Sequence, residues 1–185
     1  PGVSIHYKDA VELVTRGAAR ACLSVEQETV ARTSRNVVAR IKGTDKAEEI
    51  LTLTAHYDSV PEGPGAYDNM SGAAIIMELC RYFKEHRPRR TMEFVWFGAE
   101  EKGLLGSQNY IKIHENELSA HRFNMNVDLA GQLVGGTVAG VTGDASVCSI
   151  LTYMAHEIGI GMSTKNQIWG SDSNTFAWKG IPAMT

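Results

Sequence analysis

The chain has 185 residues, enough for one domain with a substantial core and too few for two full ones. Its 43% hydrophobic and 21% charged residues exclude a disordered or fibrous chain. A net charge of -3, from 18 basic and 21 acidic residues, excludes the broad basic field that draws nucleic acid or an anionic membrane.

In chain order, the first third predicts a short strand over 3–7, a helix over 9–16 and a strand over 21–26. From Asn36 the pattern becomes regular. Strands are expected over 37–41 and 50–55, the second a continuous apolar run of the kind covered on both faces. A loop rich in Gly and Pro leads to a buried helix over 71–86, with Ser71 as its cap and Ile75, Ile76, Leu79, Tyr82 and Phe83 at helical spacing. Arg87, Arg89 and Arg90 around Pro88 then read as a solvated turn. A strand over 92–97, a helix over 104–115 and a strand over 123–129 follow. Beyond them come a strand over 138–142, a helix over 145–158, a short helix over 173–178 and an extended piece over 181–184. Residues 1–35 therefore read as a lead-in segment. The alternation over 36–185 predicts an α/β fold, a three-layer αβα sandwich with a mixed, largely parallel central sheet.

Cys22, Cys80 and Cys148 are odd in number and lack metal-ligand spacing. They read as buried free thiols, which favours a reducing, cytoplasmic compartment over secretion. No apolar stretch is long enough to span a bilayer, and the first residues show no signal-peptide pattern. Composition sets no oligomeric state.

Function enters through position. In open α/β sheets, sites form beyond the carboxyl ends of the strands. His56 follows the strand over 50–55, Glu100 and Glu101 follow that over 92–97, and Asp128 lies near the end of that over 123–129. With Asp58 and Asp68 these residues supply an imidazole and five carboxylates, a set that repels itself unless cations neutralise it. Zinc accepts both donor types and, with an open position, acidifies water. Asp58, two residues beyond His56 in an extended piece, can lie beside the ring and fix its tautomer. Of the adjacent pair Glu100 and Glu101, one can bind metal while the other faces the reacting water. Asp128 interrupts an apolar strand, where a buried carboxylate needs a partner. His6, His86, His114, His121 and His156 read as ordinary surface or packed histidines.

Four segments carry a resemblance: 56–59 (HYDS), 65–72 (GAYDNMSG), 97–107 (FGAEEKGLLGS) and 126–128 (NVD). In this order, over roughly 36–185, the chain resembles the co-catalytic zinc aminopeptidase and carboxypeptidase family, which includes bacterial leucine aminopeptidases, glutamate carboxypeptidase and the transferrin receptor ectodomain. The resemblance implies two zinc ions bridged by Asp68, with His56 and Asp128 completing one site and Glu101 serving the other. It implies Glu100 as the base, Asp58 as its catalytic companion, and a cis Asp68–Asn69 peptide. The expected activity is removal of the N-terminal residue of a peptide through a metal-bridging water. The alternatives are a carboxypeptidase or glutaminyl cyclase activity and a non-catalytic binding module. Relatives carry a further His ligand beyond the segment 181–184 and commonly a His where Ser173 stands. The second site is therefore expected to be one ligand short within these residues. The opening residues resemble the exit from a protease-associated domain, so the native protein is expected to be longer at both ends.

Overall fold

The computed structural model describes residues 3–132, 134–167 and 169–185. It divides into two units, one ending at Thr33 and the other comprising Ser34–Thr185.

In the first unit, α1 (Tyr7–Thr15) is capped by His6, whose ring accepts the Lys8 N–H. The strands expected over 3–7 and 21–26 do not form. Val3, Ile5, Leu23 and Val25 are exposed, so the apolar alternation that suggested strands has no buried face to fill.

The second unit is built on β1 (Val37–Ile41), β2 (Lys46–His56), β3 (Arg90–Phe97), β4 (His121–Asn126) and β7 (Ala183–Met184), ordered β1-β3-β2-β4-β7. All neighbours are parallel except β1, which lies antiparallel on β3 at the edge. β5 (Thr137–Gly140) and β6 (Met162–Lys165) form a parallel pair, joined to β7 where Gly140 and Thr185 exchange backbone hydrogen bonds at 2.9 and 3.0 Å.

The helices cover both faces for a reason visible in the alternation along β3. Met92 and Phe94 point to one side, packing with Leu53, Ala55 and Ile76 beneath α2 (Met70–Glu85). Val95 and Phe97 point to the other, packing with Tyr110 and Ile111 of α3 (Leu105–Ile113) and Phe176 of α5 (Ser173–Ala177). Phe94, Phe97, Phe176 and Ile76 are completely buried, each contributing roughly 1.5–3 kcal/mol relative to exposure. Glu93 shares the Val95 side and is also completely buried, held by the Tyr110 hydroxyl and the Arg40 guanidinium. α4 (Ser146–Glu157) packs on β6.

Several boundaries differ from expectation. β4 ends at Asn126, so Asp128 lies two residues past the strand instead of interrupting it. α2 begins at Met70 under an Asn69 cap, while Ser71 donates back to the Tyr67 carbonyl at 2.7 Å. β6 and a 3-10 turn over Glu115–Ala120 were not anticipated. All three cysteines are free, but none is fully buried: Cys80 and Cys148 are half-buried, and Cys22 is exposed because the unit that carries it buries almost nothing. Among the described residues, no helix is long and apolar enough to cross a membrane.

Candidate metal centre

Parallel pairing brings the ends of β2, β3 and β4 to one edge. His56 is paired with Phe97, the last residue of β3, and the Val127 N–H just past β4 bonds to the Thr54 carbonyl at 2.9 Å. His56 is only 1% exposed. Its Nδ1 lies 3.1 Å from the Asp58 carbonyl, which fixes Nδ1 as the protonated nitrogen and leaves the Nε2 lone pair free. Nε2 faces Asp68 Oδ1 at 3.1 Å and Asp128 Oδ1 at 3.4 Å.

The Asp58 carboxylate has a different task from the one expected. It stands 3.6 Å from the ring and accepts the Glu100 N–H at 3.0 Å and the Glu101 N–H at 3.2 Å. Ala99 ahead of them is left-handed (φ 60°), which turns the chain sharply after β3. Asp58 therefore pins the turn that delivers both glutamates. The Asp68–Asn69 peptide is cis.

Two sets of three donors have ligand atoms within 4.8 Å of one another: His56, Glu100 and Asp128, and His56, Asp68 and Glu101. Glu100, expected as the base, thus lies within ligand reach of His56 and Asp128. Glu101 Oε1 is buried without a hydrogen-bond partner among the described residues, and buried Asp128 Oδ1 faces only the His56 ring, at 3.4 Å. Buried carboxylate oxygens left without donors beside further acids fit a divalent cation, and the mix of one imidazole with carboxylates suits zinc.

The charges respond to this crowding. Burial pulls the His56 pKa down, but the hydrogen bond and charge of Asp128, with the charge of Glu100, outweigh it and raise the group to about 9. Burial pushes Glu100 up to about 7; His56 opposes this, and Asp172, Asp128 and Glu101 add to it. Burial would also raise Asp128, yet hydrogen bonds from His56, Ser171 and the Leu129 N–H hold it below the usual carboxylate range.

All the residues singled out from the sequence, His56, Asp58, Asp68, Glu100, Glu101 and Asp128, meet at this edge. Two neighbours were missed. Ser171 donates to Asp128 Oδ2 at 2.8 Å. Asp172 is completely buried with neither oxygen partnered among the described residues, and burial pushes it to about 7. The nearby Ser107 hydroxyl offsets this little, being directed at the Leu104 carbonyl. An acid between two serines just before a short helix looks like a cap, so only distance from other acids along the chain could have hinted otherwise. Ser173, where relatives were expected to carry His, is buried and bonded to the Thr185 hydroxyl at 2.5 Å. Beside Asp128 a cavity of about 270 Å³ is lined by Met125, Leu129, Val138, Met162 and Met184, among others.

Fold and site together define an α/β protein with a carboxylate-rich candidate metal centre at its strand-end edge. The family model for Peptidase family M28 matches residues 36–185. Aminopeptidase YwaD of Bacillus subtilis is 42% identical over 102 residues, 54% of this chain and 22% of that protein. Leucine aminopeptidase 2 of Arthroderma otae is 29% identical over 188 residues, 95% of this chain and 38% of that protein. The solved structure of BSAP, a zinc aminopeptidase from Bacillus subtilis, superposes with a TM-score of 0.70 at 33% identity, covering 80% of this chain and 39% of that one. A glutaminyl cyclase from an Acidobacteriales bacterium, at 18% identity and a TM-score of 0.70, shares the fold. The chain belongs to peptidase family M28. It spans two fifths or less of the length of the three aminopeptidases named and 56% of the glutaminyl cyclase chain.

Proposed function

We propose that the protein to which this chain belongs is a zinc-dependent aminopeptidase that releases the N-terminal residue of peptides, with two zinc ions per complete site. The observation that carries the reading is the pair of donor sets converging on His56 at the strand-end edge of a family M28 domain. The aminopeptidase names of its relatives support the same substrate class. The donors present, one imidazole and the surrounding carboxylates, speak for catalysis over a purely binding role.

In this reading His56 Nε2 and Asp128 would hold one ion and Glu101 would serve the second, with Asp68 within reach of both. When bound, zinc would supply Lewis acidity for the scissile carbonyl and for the attacking water. Glu100 would take the proton of the attacking water and pass it to the leaving amine; in the metal-free fold burial already raises its pKa, to about 7, the direction that makes a carboxylate a better base. Asp58 holds Glu100 and Glu101 through their N–H groups, so base and ligand keep a fixed offset. The apolar cavity beside Asp128 receives the side chain of the residue being released.

Glu100→Gln in the full-length protein tests the assignment. Zinc content should remain at the parent level while turnover on an aminoacyl-anilide falls by at least about 10²-fold, the lower range for a lost general base. Retained turnover would rule Glu100 out as the base.

A further inference from the structure

Asp68 and Asp128 reach His56 from different loops, and nothing in the β-sheet itself fixes their separation. The residues on either side of each are cross-linked instead. Tyr67, just before Asp68, donates its hydroxyl to the carbonyl of Leu129, just after Asp128, at 2.7 Å. Asn69, just after Asp68, donates Nδ2 to the carbonyl of Val127, just before Asp128, at 2.9 Å. Each acid is therefore straddled by a link to the other's loop.

The links differ in what else they do. Asn69 is completely buried, and its Oδ1 also accepts the Gly72 N–H at 3.1 Å, so it caps α2 as well. Tyr67 is 39% exposed and belongs to none of the apolar core clusters. Its hydroxyl meets Leu129, a left-handed non-glycine residue (φ 53°). That conformation is unfavourable for an L-residue and is kept only where its surroundings hold it. The same residue's N–H supports the Asp128 carboxylate. Tyr67 thus braces the peptide that orients Asp128. With the Asn69 link alone the two loops share a single pivot and can rotate about it; the Tyr67 link removes that rotation.

From this geometry we infer that Tyr67 is a positioning residue, setting the spacing of the Asp68 and Asp128 carboxylates and through it the affinity of the centre for zinc. Ligand distances at such a site hold to within about 0.2 Å, so slack between two loops is felt directly as lost affinity. The inference rests on the reading of Asp68 and Asp128 as ligands in the proposed function.

The test uses the full-length protein stripped with a chelator, as parent, Tyr67→Phe and Asp68→Ala. Zinc affinity is measured by competition with a chromogenic chelator, the visible spectrum is recorded with cobalt in place of zinc, and thermal unfolding is followed without metal. Tyr67→Phe keeps the ring and loses only the hydroxyl. The expected result is an unchanged metal-free melting temperature, about tenfold weaker zinc binding, the lower end of the range for groups behind metal ligands, and shifted cobalt bands. An unchanged affinity and spectrum would overturn the inference. So would a melting temperature that falls in step with affinity, since Tyr67 would then be a general stabiliser. Asp68→Ala separates the premise from the inference, because zinc held by that variant as tightly as by the parent would remove the ligand reading itself.

Discussion

Replacing Asp58 by Asn probes the turn after β3. The carboxylate accepts two backbone N–H groups, from Glu100 at 3.0 Å and Glu101 at 3.2 Å. An amide keeps one acceptor and sets its own NH2 against the other donor, so one charge-assisted bond is lost and one N–H is stranded. Such a bond contributes about 1.5–3 kcal/mol. The Asp58 side chain is 24% exposed, so water recovers part of the loss, and about 2 kcal/mol is a reasonable figure. At about 1.4 kcal/mol per tenfold, that sets a ceiling of roughly 30-fold on the loss of zinc affinity, reached when zinc must re-order the whole loosened turn. It should appear as weaker zinc binding and not through His56, whose Nδ1 is held by the Asp58 backbone carbonyl that the substitution leaves in place. A zinc competition titration on the full-length protein gives the affinity, and a double-mutant cycle with Glu101→Gln should show strong coupling. Zinc binding within twofold of the parent, or strict additivity with Glu101→Gln, would refute the reasoning.

Two further outcomes are expected. His56 has its pKa raised from 6.5 to about 9 in the metal-free fold. Its contribution to stability is therefore fully present below about pH 6.5 and is lost as pH rises through about 9. Zinc must displace that proton, so apparent zinc affinity should climb by close to tenfold per pH unit between about pH 7 and 9 and then level off; a flat profile in calorimetric titrations would contradict this. Gly72→Ala should destabilise the metal-free protein by about 1–3 kcal/mol in urea unfolding. An added Cβ would sit 2.3 Å from the Val127 carbonyl oxygen and 2.5 Å from Asn69 Oδ1. Helix propensity alone predicts the opposite sign, a gain of about 1 kcal/mol, so a stabilised variant would show that the close approach does not matter.

The strands and helices of the second unit were legible because their signals are local. β2 carries a largely apolar run over 50–55 and β3 one over 94–97, and helical spacing marks Ile76, Leu79 and Phe83. The site's position followed from the same reading, since polar residues at the ends of parallel strands must share an edge. What stayed hidden depends on contacts far apart in sequence. Ser71 and Asn69 both have the chemistry of a helix cap, and Asn69 takes the role because it alone also reaches Val127. Asp58 was assigned to the ring two residues away, but its carboxylate is held by N–H groups more than forty positions on. The burial of Asp172 and the Tyr67 to Leu129 bond likewise leave no local pattern. In the first unit, alternation without a buried face misled.

The two donor sets at the strand-end edge have one member in common. Since Nδ1 of His56 is committed to the Asp58 carbonyl, the imidazole has one lone pair to offer, and the two sets compete for it. They are alternatives, and cannot both be filled at once from these residues. Whichever ion takes Nε2 turns the other set into a bare pair of carboxylates, a much weaker ligand for zinc. A second ion then depends on a nitrogen from elsewhere, so occupancy of the two positions should be sequential, with the first ion bound far more tightly than the second.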